Sequence, residues 1–257
     1  MKTHSNSSLE QDFIYEVPVE VAHFNEHNML KPHAYQMLFS SIVGEHLTMF
    51  NSNMSETMRY GLAWALISQS YEIKKPITDS MKLNAQTWFS KRRGPYFRRE
   101  ALFKNKQGEI MFIATSYSIL LYLENRGIFR KRQTPFPMAP PHENLLMEAD
   151  PTFKTKLSFS DIEERKVYNS YIDSLGHVNN CRYGEFAYDV FEESEKSRLS
   201  TLKRMDAYFI SEMRNKDVFM LQKAVELPDE KRDDYRITVR GKNQTKDDIA
   251  FAMVLSF

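Results

Sequence analysis

Cysteine and glycine are scarce in this sequence, whose 257 residues include one cysteine, Cys181, and eight glycines. One cysteine cannot form an intramolecular disulfide or a cysteine-based zinc site, and this usage favours a reducing compartment. The phosphate-binding patterns GxGxxG and GxxxxGK(S/T) are both missing, which excludes the usual nucleotide-binding loops. We therefore expect no metal and no cofactor.

The sequence also lacks an excess of positive or negative charge, and it lacks long apolar runs. Lysine and arginine number 35 and aspartate and glutamate 34, which argues against nucleic acid or an anionic membrane as a partner. No run approaches the roughly 18 apolar residues of a membrane span. Residues 1–12 are polar, which predicts a disordered tail rather than a signal peptide. The sequence thus favours a soluble, cytoplasmic protein.

Prolines mark the clearest break in the chain. Four of them fall within the nine residues 133–141 (QTPFPMAPP), where they can continue neither a helix nor a central strand. We predict a linker over residues 133–149. It would separate an N-terminal domain, residues 13–132, from a C-terminal domain, residues 150–257.

The two sides of this linker repeat one order of elements: a strand, a helix and then four strands. In the second half, Tyr183, Phe186, Ala187 and Val190 recur at the spacing of an amphipathic helix. The pattern predicts helices near residues 32–50 and 179–197, and a strand over residues 166–172. Two such units indicate an α+β fold with a helix against each sheet.

Residues 171–183 (YIDSLGHVNNCRY) carry the most informative motif. Asp173 and His177 fall in a turn between a strand and a helix, and Asn179 and Asn180 fall at the helix start. Unpaired N–H groups and the helix dipole at such a start can polarise a carbonyl group and stabilise an oxyanion. The same aspartate and asparagines are also typical helix caps. The residues alone leave both interpretations open.

The motif DxxGHVNNxxY resembles the DxNxHVNNxKY signature of the plant and bacterial acyl-acyl carrier protein thioesterases. Residues 60–88 and the pair Arg98–Arg99 resemble a first-domain segment of that family. Glu212, in YFISEMRNKD, matches the glutamate of the family's Y-R-R-E-C-x-x-D segment. The resemblance runs from about residue 13 to the C-terminus.

The resemblance implies two tandem hot-dog domains, each a long helix wrapped by an antiparallel sheet. It implies hydrolysis of fatty-acyl thioesters in fatty acid biosynthesis, with acyl-chain and carrier binding in the first domain and catalysis in the second. Asp173, His177 and Glu212 match the catalytic residues, so we expect His177 and Glu212 to lie about 3–6 Å apart. Acyl carrier protein, through its phosphopantetheine thioester, is the implied partner, and a homodimer stays open.

Further candidates follow from the same resemblance. Basic residues could dock the acidic carrier, and the candidates are Lys91, Arg92, Arg93, Arg98 and Arg99. Trp64 and Trp88 are candidates for the acyl pocket.

Leu175 departs from the family pattern, which has asparagine between the aspartate and the histidine. Leucine can neither hold a water molecule nor donate a hydrogen bond to an oxyanion. Loss of one such donor costs about 10²–10³ in rate. A non-catalytic protein that binds acyl carriers or acyl thioesters on the same fold is therefore the alternative. A hot-dog hydratase is a third hypothesis, which the carboxylate strand fits poorly.

Overall fold

The computed structural model describes residues 13–228 and 233–257 of the chain. The predicted tail, residues 1–12, and the side chain of Lys91 lie outside the described part. Within this part, no helix is long and apolar enough to cross a membrane.

Four α-helices and ten β-strands are found within the described residues. The helices are α1 (Pro32–Met49), α2 (Met54–Met58), α3 (Asn180–Asp189) and α4 (Glu193–Ser197). The strands of the first half are β1 (Tyr15–Val19), β2 (Leu62–Ile73), β3 (Met81–Arg93), β4 (Tyr96–Lys104) and β5 (Ile110–Tyr122). Those of the second half are β6 (Ser160–Lys166), β7 (Arg204–Phe209), β8 (Val218–Glu226), β9 (Arg236–Asn243) and β10 (Asp248–Ser256).

All ten strands form one sheet, in the order β1-β3-β4-β5-β2-β7-β10-β9-β8-β6. The second half repeats the first in mirror order, because β6 to β10 occupy the places of β1 to β5. Neighbouring strands pair antiparallel throughout the described residues. The halves meet where Ser68–Glu72 of β2 pairs with residues 204–208 of β7. The predicted α+β fold of two tandem hot-dog units is confirmed.

The helices α1 and α3 pack against each other on the sheet. Pro32 is the first residue of α1, where its missing N–H costs no hydrogen bond. On α3, a Cβ atom at Gly184 would lie 2.0 Å from Gln36 Oε1 and 3.0 Å from His33 Cα. Only glycine therefore allows the two helices to approach this closely.

Two predicted elements differ from the structure. The expected helix over residues 179–197 breaks into α3 and α4, because the Lys223 ammonium binds the Val190 carbonyl at the end of α3. The Glu195 carboxylate then accepts a hydrogen bond from Glu192 N, which caps the start of α4. The prediction of a strand over residues 166–172 is wrong, because the strand in this part of the sequence, β6, already ends at Lys166. As a mostly exposed edge strand of charged residues, β6 lacks the apolar alternation of a half-buried strand.

The segment between β5 and β6 contains no helix or longer strand among its described residues. It is held to the sheet by side chains of the first half. Arg98 donates to the Met147 carbonyl at 2.5 Å, and Trp88 Nε1 donates to the Asn144 carbonyl at 3.2 Å. The domain boundaries around the predicted linker, residues 133–149, remain a prediction.

Candidate active site

A cavity of about 690 Å³ opens between the two halves. Its position follows from the sheet, because the pairing of β2 with β7 begins only at Ser68, after a bulge between Leu66 and Ser68. The first half contributes mainly apolar lining, which includes Val43, Leu47, Trp64, Leu66, Phe89 and Phe97. The second half contributes mainly polar lining, which includes Asp173, His177, Asn180, Ser211, Glu212 and Lys246.

A closed turn presents Asp173 and His177 to this cavity. The Asp173 side chain accepts a hydrogen bond from Leu175 N at 2.9 Å, and Asp173 N donates to the His177 carbonyl at 2.9 Å. Gly176 completes the turn with φ +82°, a left-handed conformation that favours glycine. The turn leaves His177 Nδ1 3.6 Å from Asp173 Oδ1.

Glu212 reaches the same point from the segment that follows β7. The amides of Ile210 and Ser211 both donate to the Ala250 carbonyl, at 2.8 and 3.0 Å, which fixes this segment. Glu212 Oε1 then lies 3.9 Å from His177 Nε2. The expected convergence of His177 with Glu212 is confirmed. The catalytic roles of these residues remain predictions.

Positive groups surround the Glu212 carboxylate. Arg126 donates to Oε1, Arg214 lies 3.6 Å from Oε2, and Lys246 donates to the Glu212 carbonyl. Partial burial alone raises the pKa of Glu212, but the Arg126 hydrogen bond and the charges of Arg126, His177 and Arg214 hold that pKa below its ordinary value. Glu212 is therefore a carboxylate near neutral pH.

Arg126 and Lys246 were not predicted as site residues. Arg126 precedes the predicted linker, 86 positions before Glu212 in the sequence. Lys246 lies in the turn between β9 and β10. No local motif marks either residue, because the chain reversals of the folded sheet create their contacts.

The two asparagines at the start of α3 have different surroundings. Asn179 is the N-cap, and its side-chain oxygen accepts a hydrogen bond from Cys181 N at 3.0 Å. Asn180 lines the cavity. Cys181 is not an activated nucleophile, because burial raises its pKa to about 11.

Leu175 lies at the mouth of the cavity, with 43% of its surface exposed. Its backbone N–H donates to the Asp173 carboxylate, so the turn depends on the main chain of Leu175 and not on its side chain. Its side chain adds apolar surface beside the polar cluster.

The two tryptophans also differ in their positions. Trp64 lines the cavity, stacks on Phe89 with ring centroids 6.3 Å apart, and donates from Nε1 to the Ser52 carbonyl. Trp88 does not line the cavity, because its ring is buried against the segment that contains Asn144. Of the two tryptophans, Trp64 is therefore the one in contact with this cavity, and its role in an acyl pocket stays a prediction.

The docking prediction fails for Arg98 and Arg99, which are only 6% and 3% exposed. Arg98 pairs with buried Glu100 at 2.5 Å. Arg99 donates to His46 Nδ1 at 3.0 Å, and its guanidinium lies 3.8 Å from the centre of the Phe89 ring. Buried groups of this kind cannot meet the surface of a partner protein.

Arg92 and Arg93, which precede this buried pair in the sequence, have different surroundings. Arg92 bends inward and donates to the Lys131 and Arg132 carbonyls, at 3.0 and 3.1 Å. Arg93 is exposed. Docking by Lys91, Arg92 and Arg93 stays a prediction.

No protein-family model and no curated protein matches the sequence. Solved structures do match. The chain is similar to an acyl-ACP (acyl-acyl carrier protein) thioesterase from Bacteroides thetaiotaomicron, with a TM-score of 0.83 and 18% identity over 99% of this chain and 100% of that one. It is also similar to a 12:0-ACP thioesterase from Umbellularia californica, with a TM-score of 0.77 and 13% identity over 95% and 93% of the two chains.

The fold is that of the acyl-ACP thioesterases. Both matches extend over nearly the whole length of each chain, so the likeness includes the tandem arrangement and not one unit alone. Within this acyl-ACP thioesterase fold, the cavity lies at the junction of the two units.

Proposed function

We propose that the protein is a thioester hydrolase that releases fatty acids from acyl carrier protein. One observation carries the proposal: a single cavity joins the cluster of Asp173, His177 and Glu212 to an apolar compartment around Trp64 and Phe89. A fatty-acyl thioester has the same division, with a polar carbonyl at one end and an apolar chain beyond it. The similarity to an acyl-ACP thioesterase fold supports this substrate class.

The start of α3 is the expected position of the thioester carbonyl. Asn180 lines the cavity there, and the first-turn N–H groups of a helix carry partial positive charge. An oxyanion formed at this point would be stabilised by these groups. The acyl chain would then extend towards Trp64, Phe89 and Phe97.

The surroundings of the two titratable groups suggest their division of work. Glu212 is held as a carboxylate by Arg126, which makes it a weak proton acceptor and a good partner for a charged imidazole. His177 would take the proton from water as the water oxygen bonds to the thioester carbon. The carbon–sulfur bond then breaks, and the same proton passes to the leaving thiolate. Asp173, 3.6 Å from His177 Nδ1, would orient the ring.

The proposal includes the finer assignments made from the sequence. The first unit would hold the acyl chain and the carrier, and the second unit would catalyse, in the cytoplasm and without a cofactor. In the described residues we find no feature that favours the non-catalytic alternative raised by Leu175.

Release of free thiol from a panel of acyl-acyl carrier protein and acyl-CoA thioesters tests the proposal. We expect native protein to release thiol and fatty acid in equal amounts, and His177→Ala to lose at least about 10²-fold in kcat. The control is His27→Ala, which removes an exposed histidine that pairs with Glu193 and does not line the cavity. Binding of the thioesters without any thiol release would instead support the non-catalytic alternative.

A further inference from the structure

Arg126 belongs to the first half of the chain but binds the polar cluster of the second. It lies in a tight turn that follows β5, where Arg126 N donates to the Tyr122 carbonyl at 2.8 Å and Tyr122 N donates to the Gly127 carbonyl at 2.9 Å. Its φ of +59° is left-handed, which is uncommon for a residue with a side chain. Such a conformation persists only where the surrounding structure fixes it.

The guanidinium of Arg126 and the ring of His177 share one oxygen atom. Glu212 Oε1 accepts the hydrogen bond from Arg126 and is also the atom that lies 3.9 Å from His177 Nε2. Arg126 lines the cavity beside both groups. A positive charge at this point therefore acts on the carboxylate and on the imidazole together.

We propose that Arg126 is a positioning residue of the active site, which holds the Glu212 carboxylate charged and directed at His177. This inference rests on the proposed function and assigns part of the second unit's chemistry to a residue of the first. It also gives a reason for the tandem arrangement, since the second unit alone would lack this cation.

The charge balance around Glu212 includes groups from four segments. The turn after β5 supplies Arg126, the turn before α3 supplies Asp173 and His177, the segment after β7 supplies Arg214, and the turn before β10 supplies Lys246. Asp217 faces Lys246 at 3.8 Å. Of these, Arg126 is the cation that donates to the carboxylate oxygen nearest His177.

The pH dependence of kcat/KM separates positioning from a merely structural contact. Arg126→Gln removes the positive charge that lowers the pKa of Glu212, so this carboxyl group will hold its proton to higher pH. The acidic limb of the kcat/KM profile should therefore move to higher pH by about one unit. This is the low end of the usual effect of a neighbouring cation, because Arg126 is half exposed. Arg126→Lys keeps the charge and should leave the limb within a few tenths of a unit of native.

The titration of the Glu212 carboxyl group, followed by NMR of its carboxyl carbon, gives a readout that needs no turnover. We expect Arg126→Gln to raise the pKa of Glu212 towards its ordinary value, because the Arg126 hydrogen bond and charge lower it, and Arg126→Lys to leave it near the native value. The control is Arg59→Gln, which removes another exposed arginine that pairs with a glutamate, Glu56, outside the cavity.

Two outcomes would overturn the inference. One is an unchanged Glu212 titration in Arg126→Gln, whether or not the protein hydrolyses thioesters. The other is an equal loss of activity in Arg126→Gln at every pH, which would make Arg126 only a link between the two units. Absence of hydrolysis in native protein would instead count against the proposed function, and the NMR titration would still decide the role of Arg126.

Discussion

Replacement of Glu100 by alanine should destabilise the protein by about 3–5 kcal/mol, the usual cost of breaking a buried ion pair. Glu100 is completely buried. It accepts hydrogen bonds from Arg98 Nε at 2.5 Å, Thr115 Oγ1 at 2.6 Å, Ser90 Oγ at 3.1 Å and Leu146 N at 3.3 Å. Four donors therefore lose their shared acceptor when this carboxylate is removed.

The largest part of the cost comes from Arg98. Burial alone lowers the pKa of the Arg98 guanidinium, whereas Glu100 and Tyr117 raise it above its ordinary value, so Arg98 stays charged. Without Glu100 that charge is buried with only neutral partners, the Met147 carbonyl and the Tyr117 hydroxyl. The double variant Arg98→Met/Glu100→Ala should lose less than the sum of the single variants, by about 0.5–3 kcal/mol, because no uncompensated charge remains.

Urea denaturation of native protein, both single variants and the double variant measures these energies. A docking role for Arg98 predicts a different result, in which Arg98→Met raises KM for carrier substrates and leaves the free energy of unfolding unchanged. A loss below about 0.5 kcal/mol in Glu100→Ala would refute the reasoning, since surface positions typically give such values.

Two further predictions concern the cavity. Trp64→Ala should shift the preferred substrate to longer acyl chains, because each added methylene that becomes buried is worth about 0.8 kcal/mol, or roughly fourfold in kcat/KM. The control is Trp88→Phe, away from the cavity, which should leave the chain-length preference unchanged. Equal effects of the two substitutions would count against the assignment of the pocket. Leu175→Asn should change kcat by less than about tenfold, because Asp173 and His177 are oriented by main-chain contacts of their own turn. Activity that emerges only in Leu175→Asn would show that the native side chain blocks catalysis.

The sequence predicts those parts of the fold that depend on local pattern. The repeated order of elements predicted two similar units, because each unit must bury one helix against its own strands. The turn from Asp173 to His177 was also predictable, since all of its hydrogen bonds join residues within five positions of one another.

Other features depend on contacts that no local pattern reveals. The pair Arg98–Arg99 has the composition of an exposed patch, yet Arg98 is covered by the segment that contains Met147 and Arg99 meets His46 of α1. The break between α3 and α4 is produced by Lys223 of β8. Arg126 meets Glu212 only because β2 and β7 join the two halves into one sheet.

The most direct test of the account is steady-state hydrolysis of acyl-acyl carrier protein thioesters by native protein and by Glu212→Gln. The substitution keeps the shape of the side chain and removes its charge, and Glu212 is partly exposed, so the thermal unfolding midpoint should not change. We predict turnover by native protein and a loss of at least about 10²-fold in the variant. Native protein that binds these substrates and hydrolyses none of them, at any acyl length, would contradict the account, as would full activity in Glu212→Gln.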